Sequence, residues 1–307
     1  MGGLNRVAVV GATGCVGRQV CAALTRRDHD VLAIARRPAP HLADRAFAAV
    51  DVAAVDARTL AKTFEAERVE AVVNTSGGWG TTEEEMDYAH VRLVERLVEA
   101  LALMDRPARL VHMGTIHEYG PAEWGTLIGE SIEPRPVTPY ARTKFAGSEA
   151  VLRAMSAGRI EGIVLRAANI CGPHPAGGSF PGFLLRRLRE IAAEGGALEL
   201  SIAAAKRDFF DVRDAAEAAA LAVRATTAEP VVNIGSGEAV DMREFVTLFV
   251  AAAGFPADVL KVDGGQVESK GGDWTRTDIR LAGAALGWTP ATGLGESLRD
   301  MWEASDE

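Results

Sequence analysis

The chain has 307 residues, 48% of them hydrophobic, and its formal net charge is -9. This length and composition are sufficient for a full hydrophobic core in one enzyme-sized unit. The negative charge would repel a phosphate backbone, and Lys and Arg form no basic stripe, so we expect no nucleic-acid partner.

Metal and membrane binding are also disfavoured by the sequence. The three cysteines, Cys15, Cys21 and Cys171, lack the spacing of a zinc site, and their odd count does not indicate a disulfide framework. No apolar run approaches the length of a membrane span, and the N-terminal residues carry neither an export signal nor a myristoylation signal. We therefore expect a cytoplasmic protein with no bound metal and no membrane contact.

Short aliphatic runs alternate with longer helix-like segments over the first half of the chain. The predicted strands are residues 7–10, 31–35, 47–52, 71–74, 110–113 and 162–165. Continuous apolar strands with helices between them predict an α/β fold, a doubly wound parallel sheet of the Rossmann type. We expect a dinucleotide-binding domain over residues 1–170. Residues 171–307 should form a smaller substrate-binding lobe, with some segments crossing back to the Rossmann sheet.

A glycine-rich turn follows the first predicted strand. Gly11, Gly14 and Gly17 are spaced G-x-x-G-x-x-G, with Thr13, Cys15 and Val16 between them. Glycine at a strand-to-helix turn allows backbone amides and a helix N-terminus to approach a pyrophosphate. The same string also occurs in ordinary strand-to-helix turns, but its place in the first βαβ unit favours a nucleotide-binding site.

The end of the second predicted strand indicates which dinucleotide is bound. An acidic residue here would bind the ribose 2′-hydroxyl of NAD, whereas this chain has Arg36 and Arg37. A guanidinium group suits a 2′-phosphate, so the pair favours NADP over the alternative of two solvated arginines. Asp51 and Val52, after the third strand, are candidates to flank the adenine, although a plain loop Asp fits nearly as well.

Tyr140 and Lys144 form the candidate catalytic pair. Thr138 and Pro139 predict a helix start, which places the two residues one turn apart on the face that also carries Gly147 and Val151. A tyrosine hydroxyl, with a pKa near ~10, exchanges protons poorly at neutral pH, and we expect the neighbouring ammonium to lower that pKa. Thr115, at the end of the fifth strand, is a candidate third donor, although alone it would be read as a structural hydroxyl.

The order of these motifs resembles the extended short-chain dehydrogenases/reductases of the NAD-dependent epimerase/dehydratase family. The resemblance runs through the glycine turn, residues 113–120, Tyr140 with Lys144, and residues 166–173, 207–212 and 232–237. It implies that Thr115, Tyr140 and Lys144 are the catalytic triad and that Lys144 also holds the nicotinamide ribose.

The resemblance also assigns residues to the substrate and to the rest of the cofactor. Asn169 would face the substrate near its phosphates, Arg207 would bind the diphosphate of a nucleotide sugar, and Phe180 and Phe183 would cover the base. The remaining candidates are His117 for substrate, although a structural role suits it better, and Asn74 for cofactor, at a place where the family often has His. His90 stands where the family often has Asn. Helices over residues 84–104 and 139–155 resemble the pair through which family members dimerise, which makes a homodimer plausible.

Departures from the family pattern narrow the predicted reaction. Sugar 4,6-dehydratases carry Asp-Glu directly after the catalytic Thr, whereas this chain has Ile116 and His117. We therefore expect NADPH-dependent reduction of a dTDP-4-keto-6-deoxyhexose. The alternatives are a nucleotide-sugar epimerase that retains its cofactor and a non-catalytic NADP-binding regulator. Such regulators often lack the Tyr and Lys that are present here.

Overall fold

The computed structural model describes residues 6–78, 80, 82–263, 267, 269 and 272–304. Its strands, in chain order, are β1 (Arg6–Val10), β2 (Asp30–Ala35), β3 (Ala46–Ala49), β4 (Val69–Asn74), β5 (Arg109–Thr115), β6 (Gly162–Ala167), β7 (Asn169–Cys171), β8 (Leu198–Leu200), β9 (Lys206–Arg207), β10 (Phe209–Asp211), β11 (Val231–Ile234), β12 (Val240–Asp241) and β13 (Leu260–Val262). Its helices are α1 (Cys15–Arg26), α2 (Ala57–Ala66), α3 (Glu83–Asp87), α4 (Leu93–Ala102), α5 (Pro139–Ser156), α6 (Phe180–Glu194), α7 (Val212–Ala222), α8 (Met242–Ala252), α9 (Arg280–Leu286) and α10 (Leu294–Glu303).

Seven parallel strands form the central sheet in the order β3-β2-β1-β4-β5-β6-β11. The order reverses between β1 and β4, which is where open α/β sheets bind their ligands. This sheet confirms the predicted doubly wound α/β fold. The last strand, β11, comes from residues 231–234 and pairs with β6, so this late part of the chain crosses back to the sheet.

Apolar side chains cover both faces of this sheet. On one face Val7 and Val9 pack with residues of α1, α7 and α9, and on the other Ala8 and Val10 pack with residues of α2, α4 and α5. Burial on both faces explains why the strands are continuously apolar rather than alternating. A third cluster joins α6, α8 and α10 around Phe245 and Phe249, and we refer to these three helices as the C-terminal lobe.

Two predicted elements differ from the structure. The predicted strand over residues 47–52 is β3, which ends at Ala49 and leaves Asp51 and Val52 in the following loop. The helix predicted over residues 84–104 is α3 and α4 joined by a π-helical turn at Tyr88–Arg92. Within the described ranges, no helix combines the length and the apolar character needed to cross a membrane.

Candidate active site

A cleft of about 1720 Å³ lies between the carboxyl ends of the central strands and the C-terminal lobe. One wall consists of the glycine turn, the ends of β2 and β5, and the start of α5. The opposite wall includes residues of β7, α6 and β9. The two walls therefore bring together residues far apart in the sequence.

The glycine turn has the close backbone packing that its sequence predicts. Gly11 has a φ of 80°, and a Cβ on it would lie 2.9 Å from the backbone nitrogen of Ser76. A Cβ on Gly17 would lie 2.2 Å from the carbonyl oxygen of Gly11. Gly14 is the N-cap of α1 and has no side chain to occupy the helix N-terminus, which suits a phosphate there.

The predicted residues of the turn divide into two groups. The cleft is lined by Gly11, Thr13, Gly14, Cys15 and Val16. Gly17 does not line it and instead allows α1 to pack against the turn. The residues present thus fit a dinucleotide, with the pyrophosphate at the start of α1.

The two predicted arginines follow the end of β2 and differ in their position relative to the cleft. Both are exposed, but Arg36 lines the cleft and Arg37 does not. Asp51 and Val52 line the same region, and the Tyr88 hydroxyl hydrogen-bonds to the Asp51 carboxylate. The sequence analysis did not identify Tyr88, because its position becomes significant only when the π-helical turn is placed beside β3.

Helix α5 carries the candidate catalytic pair. Thr138 caps the helix by accepting a hydrogen bond from the Ala141 amide, at 3.2 Å. The Tyr140 hydroxyl hydrogen-bonds to Thr115, at the end of β5, so the three predicted residues come together. Lys144 is 4% exposed and donates from Nζ to the carbonyl oxygen of Met113, at 2.6 Å.

Burial determines the direction of both pKa shifts in this pair. It lowers the pKa of Lys144 from 10.5 to about 8, because the charged form is disfavoured away from water. Burial also raises the pKa of Tyr140, and the negative charge of Glu118 raises it further. The sequence predicts a lowered pKa for Tyr140, whereas the pKa is shifted upward here, with desolvation of the phenolate as the largest cause.

Two buried groups lie beneath the cofactor side of the cleft. Asn74 is fully buried and does not line the cleft. The Asn74 amide nitrogen, Nδ2, lies 3.1 Å from Nδ1 of His112. The Asn74 amide oxygen, Oδ1, accepts a hydrogen bond from the Ser76 backbone amide, at 3.0 Å. The two ring nitrogens of His90 contact different segments. Nε2 lies 3.0 Å from the Gly78 carbonyl oxygen, and Nδ1 lies 2.8 Å from the Thr143 hydroxyl.

The predicted substrate residues share the opposite part of the cleft, which is lined by Thr115, His117, Asn169, Phe180, Phe183 and Arg207. His117 Nε2 lies 3.2 Å from Asn169 Oδ1, while Asn169 Nδ2 donates to the Asp208 carbonyl oxygen at 2.9 Å. Burial lowers the pKa of His117 to about 4, with Arg207 adding to the effect, so the ring is neutral at pH 7.

The chain is similar in sequence to a known family and to characterised members of it. The family model described as "NAD dependent epimerase/dehydratase family" matches residues 7–235. A dTDP-6-deoxy-L-talose 4-dehydrogenase (NAD(P)(+)) of Kitasatospora kifunensis is 41% identical over 302 residues, which are 97% of this chain and 95% of that protein. A dTDP-L-rhamnose 4-epimerase of Burkholderia thailandensis is 30% identical over 57% of this chain and 48% of its own.

A solved structure resembles this fold closely. MoeE5 in complex with UDP-glucuronic acid and NAD superposes with a TM-score of 0.83 at 27% identity, covering 98% of this chain and 99% of its own.

Proposed function

This chain belongs to the NAD-dependent epimerase/dehydratase family, and we propose that it uses NADPH to reduce the keto group of a dTDP-4-keto-6-deoxyhexose. The coarser activity, that of an NAD(P)-dependent oxidoreductase acting on a nucleotide sugar, follows from the family and from the 41% identical relative. The observation that carries the finer proposal is the hydrogen bond between Tyr140 and Thr115 at the cleft, with Ile116 and His117 in place of a dehydratase acid and base.

The proposed direction of reaction is compatible with the name of that relative. A 4-dehydrogenase oxidises the hydroxyl at C4 of a sugar, and a 4-ketoreductase carries out the reverse step at the same carbon. One active site lowers the same barrier in both directions. The supply of oxidised or reduced cofactor then sets the direction.

In this proposal bound NADPH supplies the hydride for the keto carbon. Tyr140 donates its proton to the keto oxygen, and its raised pKa keeps it protonated at neutral pH. Thr115, already hydrogen-bonded to Tyr140, donates to the same oxygen and orients it. Lys144 lies one turn beyond Tyr140 on α5 and would hold the ribose hydroxyls, with part of its donor capacity already used by the Met113 carbonyl.

The preference for NADPH rests on Arg36. Its guanidinium lines the cleft at the end of β2, where the ribose of a dinucleotide lies in this fold. A 2′-phosphate would form a charge-assisted hydrogen bond with it. Asp51 lies nearby, and its carboxylate accepts hydrogen bonds from the Ala53 amide, at 3.2 Å, and from the Tyr88 hydroxyl. A carboxylate has about four acceptor positions, so capacity remains for the adenine amino group.

The remaining wall of the cleft supports a nucleotide sugar. Arg207 is a buried cation able to pair with a diphosphate, and Phe180 and Phe183 provide apolar surface for a base. Asn169 lines the same cleft. His117 donates from Nε2 to Asn169, so its neutral ring offers Nδ1 as an acceptor for a sugar hydroxyl.

We place the enzyme in the cytoplasm as a homodimer. The proposed dimer pairs α4 and α5 of one protomer with the same helices of its partner, as in the family. Sedimentation of the purified protein would test the assembly, and a single species of the monomer mass of 32.4 kDa would contradict it.

A nucleotide-sugar epimerase is the second candidate, because one relative, of Burkholderia thailandensis, is a dTDP-L-rhamnose 4-epimerase. An epimerase returns its hydride to the sugar within one cycle. The test is incubation of the keto sugar with NADPH deuterated at C4 of the nicotinamide. The proposal predicts that deuterium appears on the product sugar, whereas isomerised sugar without label would support the epimerase.

A further inference from the structure

Glu118 is a fully buried carboxylate whose partners come from three different elements. Its Oε1 accepts from the Thr115 amide and from the Ser148 hydroxyl, both at 2.9 Å. Its Oε2 accepts from Nε of Arg166, on β6, at 2.8 Å. The Arg166 and Glu118 side chains are 4% and 0% exposed, so the pair is shielded from solvent on both sides.

The position of Glu118 relates it to all three candidate catalytic residues. Its Oε1 fixes the main chain of Thr115, whose side chain bonds to Tyr140. Ser148 lies four residues beyond Lys144 and eight beyond Tyr140, on the same face of α5. One carboxylate oxygen therefore joins the strand that presents Thr115 to the helix that presents Tyr140 and Lys144.

Gly114 packs closely against the Glu118 carboxylate. A Cβ on Gly114 would lie 2.7 Å from Glu118 Oε1 and 3.2 Å from the Ser148 hydroxyl. Gly114 therefore leaves the space that Glu118 and Ser148 occupy. Glu118 itself does not line the cleft, so it is placed to act through other residues.

Arg166 holds the other end of the carboxylate in place. Its guanidinium lies over the Tyr119 ring, 4.5 Å from the centroid, and the Tyr119 hydroxyl donates to Asn233 Oδ1, on β11, at 2.9 Å. Because β6 and β11 are neighbouring strands of the central sheet, Glu118 is anchored through Arg166 and Tyr119 to two paired strands.

We infer that Glu118 is a positioning residue, which locks Thr115 and α5 into the one register that directs Thr115 and Tyr140 at the same substrate oxygen. The predicted effect on turnover rests on the proposed function. The predicted placement of Thr115 against Tyr140 does not depend on the substrate and can be tested in its absence.

The pKa values of Tyr140 and Lys144 provide a second test of the role of Glu118. Besides Glu118, the titratable groups around the Tyr140 ring are Cys15, His90, His117 and Lys144. Burial keeps the two histidines and the thiol neutral at pH 7. Glu118 raises the pKa of both Tyr140 and Lys144, so removal of its charge should lower both.

The principal variant is Glu118→Gln. Glutamine has one acceptor oxygen where glutamate uses two, so either Arg166 or the pair formed by Thr115 and Ser148 loses its partner. We expect kcat to fall on the order of 10- to 100-fold, as for a small misplacement of reacting groups, while the KM values for keto sugar and NADPH stay near wild type. The alkaline limb of the kcat profile should move to lower pH, because the proton donor ionises more readily.

Further variants separate positioning from folding. Ser148→Ala keeps the buried ion pair and should lower kcat about fivefold, the effect of one lost hydrogen bond. If Glu118→Gln alone does not fold, the combination with Arg166→Met removes both buried charges and should show the same loss of kcat. The matched control is Glu149→Gln, on the same helix, where the carboxylate is 45% exposed and 3.9 Å from Arg153; it should behave as wild type.

Crystal structures of the wild type and Glu118→Gln decide the inference even if the enzyme reduces no keto sugar. We expect the hydrogen bond between Thr115 and Tyr140 to be broken in the variant while the central sheet superposes. An intact hydrogen bond, or an unchanged kcat and pH profile, would overturn the role of Glu118. Failure of the wild type to reduce the sugar would instead overturn the proposed function.

Discussion

His90 and Tyr140 meet edge to face, with ring centroids 5.5 Å apart and ring planes at 87°. Burial lowers the pKa of His90 to about 4, so the ring is neutral at pH 7. Because the Gly78 carbonyl can only accept, Nε2 carries the proton and Nδ1 accepts from the Thr143 hydroxyl. His90 thus connects the loop after β4 to the catalytic helix.

Replacement of His90 by Phe should weaken this connection. Phenylalanine keeps an aromatic edge against Tyr140 but leaves the Gly78 carbonyl without its donor, at a cost of about 1–3 kcal/mol in stability. The Thr143 hydroxyl can donate instead to the carbonyl oxygen of Pro139 or Tyr140, each at 3.1 Å. NADPH binding should weaken as well, because the loop lies at the cofactor side of the cleft. His90→Asn retains one donor and one acceptor and should lose less. Thermal unfolding and NADPH titration of both variants check this, and equal losses would contradict it.

The cofactor preference should depend on one of the two arginines. Arg36→Ala should lower the affinity for NADPH by about tenfold, within the range for a lost charge-assisted hydrogen bond, and leave NADH binding nearly unchanged. Arg37→Ala is the matched control, because Arg37 does not line the cleft. The measurement is titration of both cofactors into the three proteins. Equal affinity of the wild type for NADPH and NADH would contradict the assignment.

Tyr140→Phe should separate catalysis from binding. The substitution removes only the hydroxyl, so turnover should fall by about 10² or more while NADPH affinity stays near wild type. Lys144→Ala should reduce both, since the ammonium is also proposed to hold the ribose. Steady-state kinetics and cofactor titration distinguish the two variants. Normal turnover of the Tyr140→Phe protein would exclude Tyr140 as the proton donor.

Lys144 should make the stability of the fold depend on pH. Its pKa is about 8 in the folded protein against 10.5 as its ordinary value, so between these values the unfolded chain binds more protons. Stability should therefore rise with pH from about 8 to 10.5, and the buried charge should cost on the order of 3 kcal/mol below pH 8. Lys144→Met removes this dependence. Denaturant unfolding at several pH values measures it, and parallel curves for both proteins would contradict it.

Local patterns predicted the parts of the site that depend on neighbouring residues. The glycine turn, the cap at Thr138 and the spacing of Tyr140 and Lys144 all follow from short-range rules. The structure places Tyr140 and Thr115 in contact because β5 and α5 are adjacent in the fold.

Long-range packing determined what the sequence could not show. Glu118 has a local signal, since T-x-x-E at residues 115–118 is a capping box, but its burial depends on Arg166, 48 residues away. The sequence could not show that Arg37 and Asn74 do not line the cleft, because the direction in which a side chain leaves a strand end depends on the tertiary fold. The raised pKa of Tyr140 likewise reflects burial by distant segments.

The stoichiometry of NADPH oxidation tests the central claim most directly. Purified enzyme is mixed with a dTDP-4-keto-6-deoxyhexose and NADPH, and absorbance of the cofactor is followed together with the mass of the sugar nucleotide. A ketoreductase must oxidise one NADPH for each alcohol formed, and each product must gain two hydrogens. The account predicts this ratio for the wild type and its loss in Tyr140→Phe. Isomerisation of the sugar at constant NADPH would contradict it and identify an epimerase.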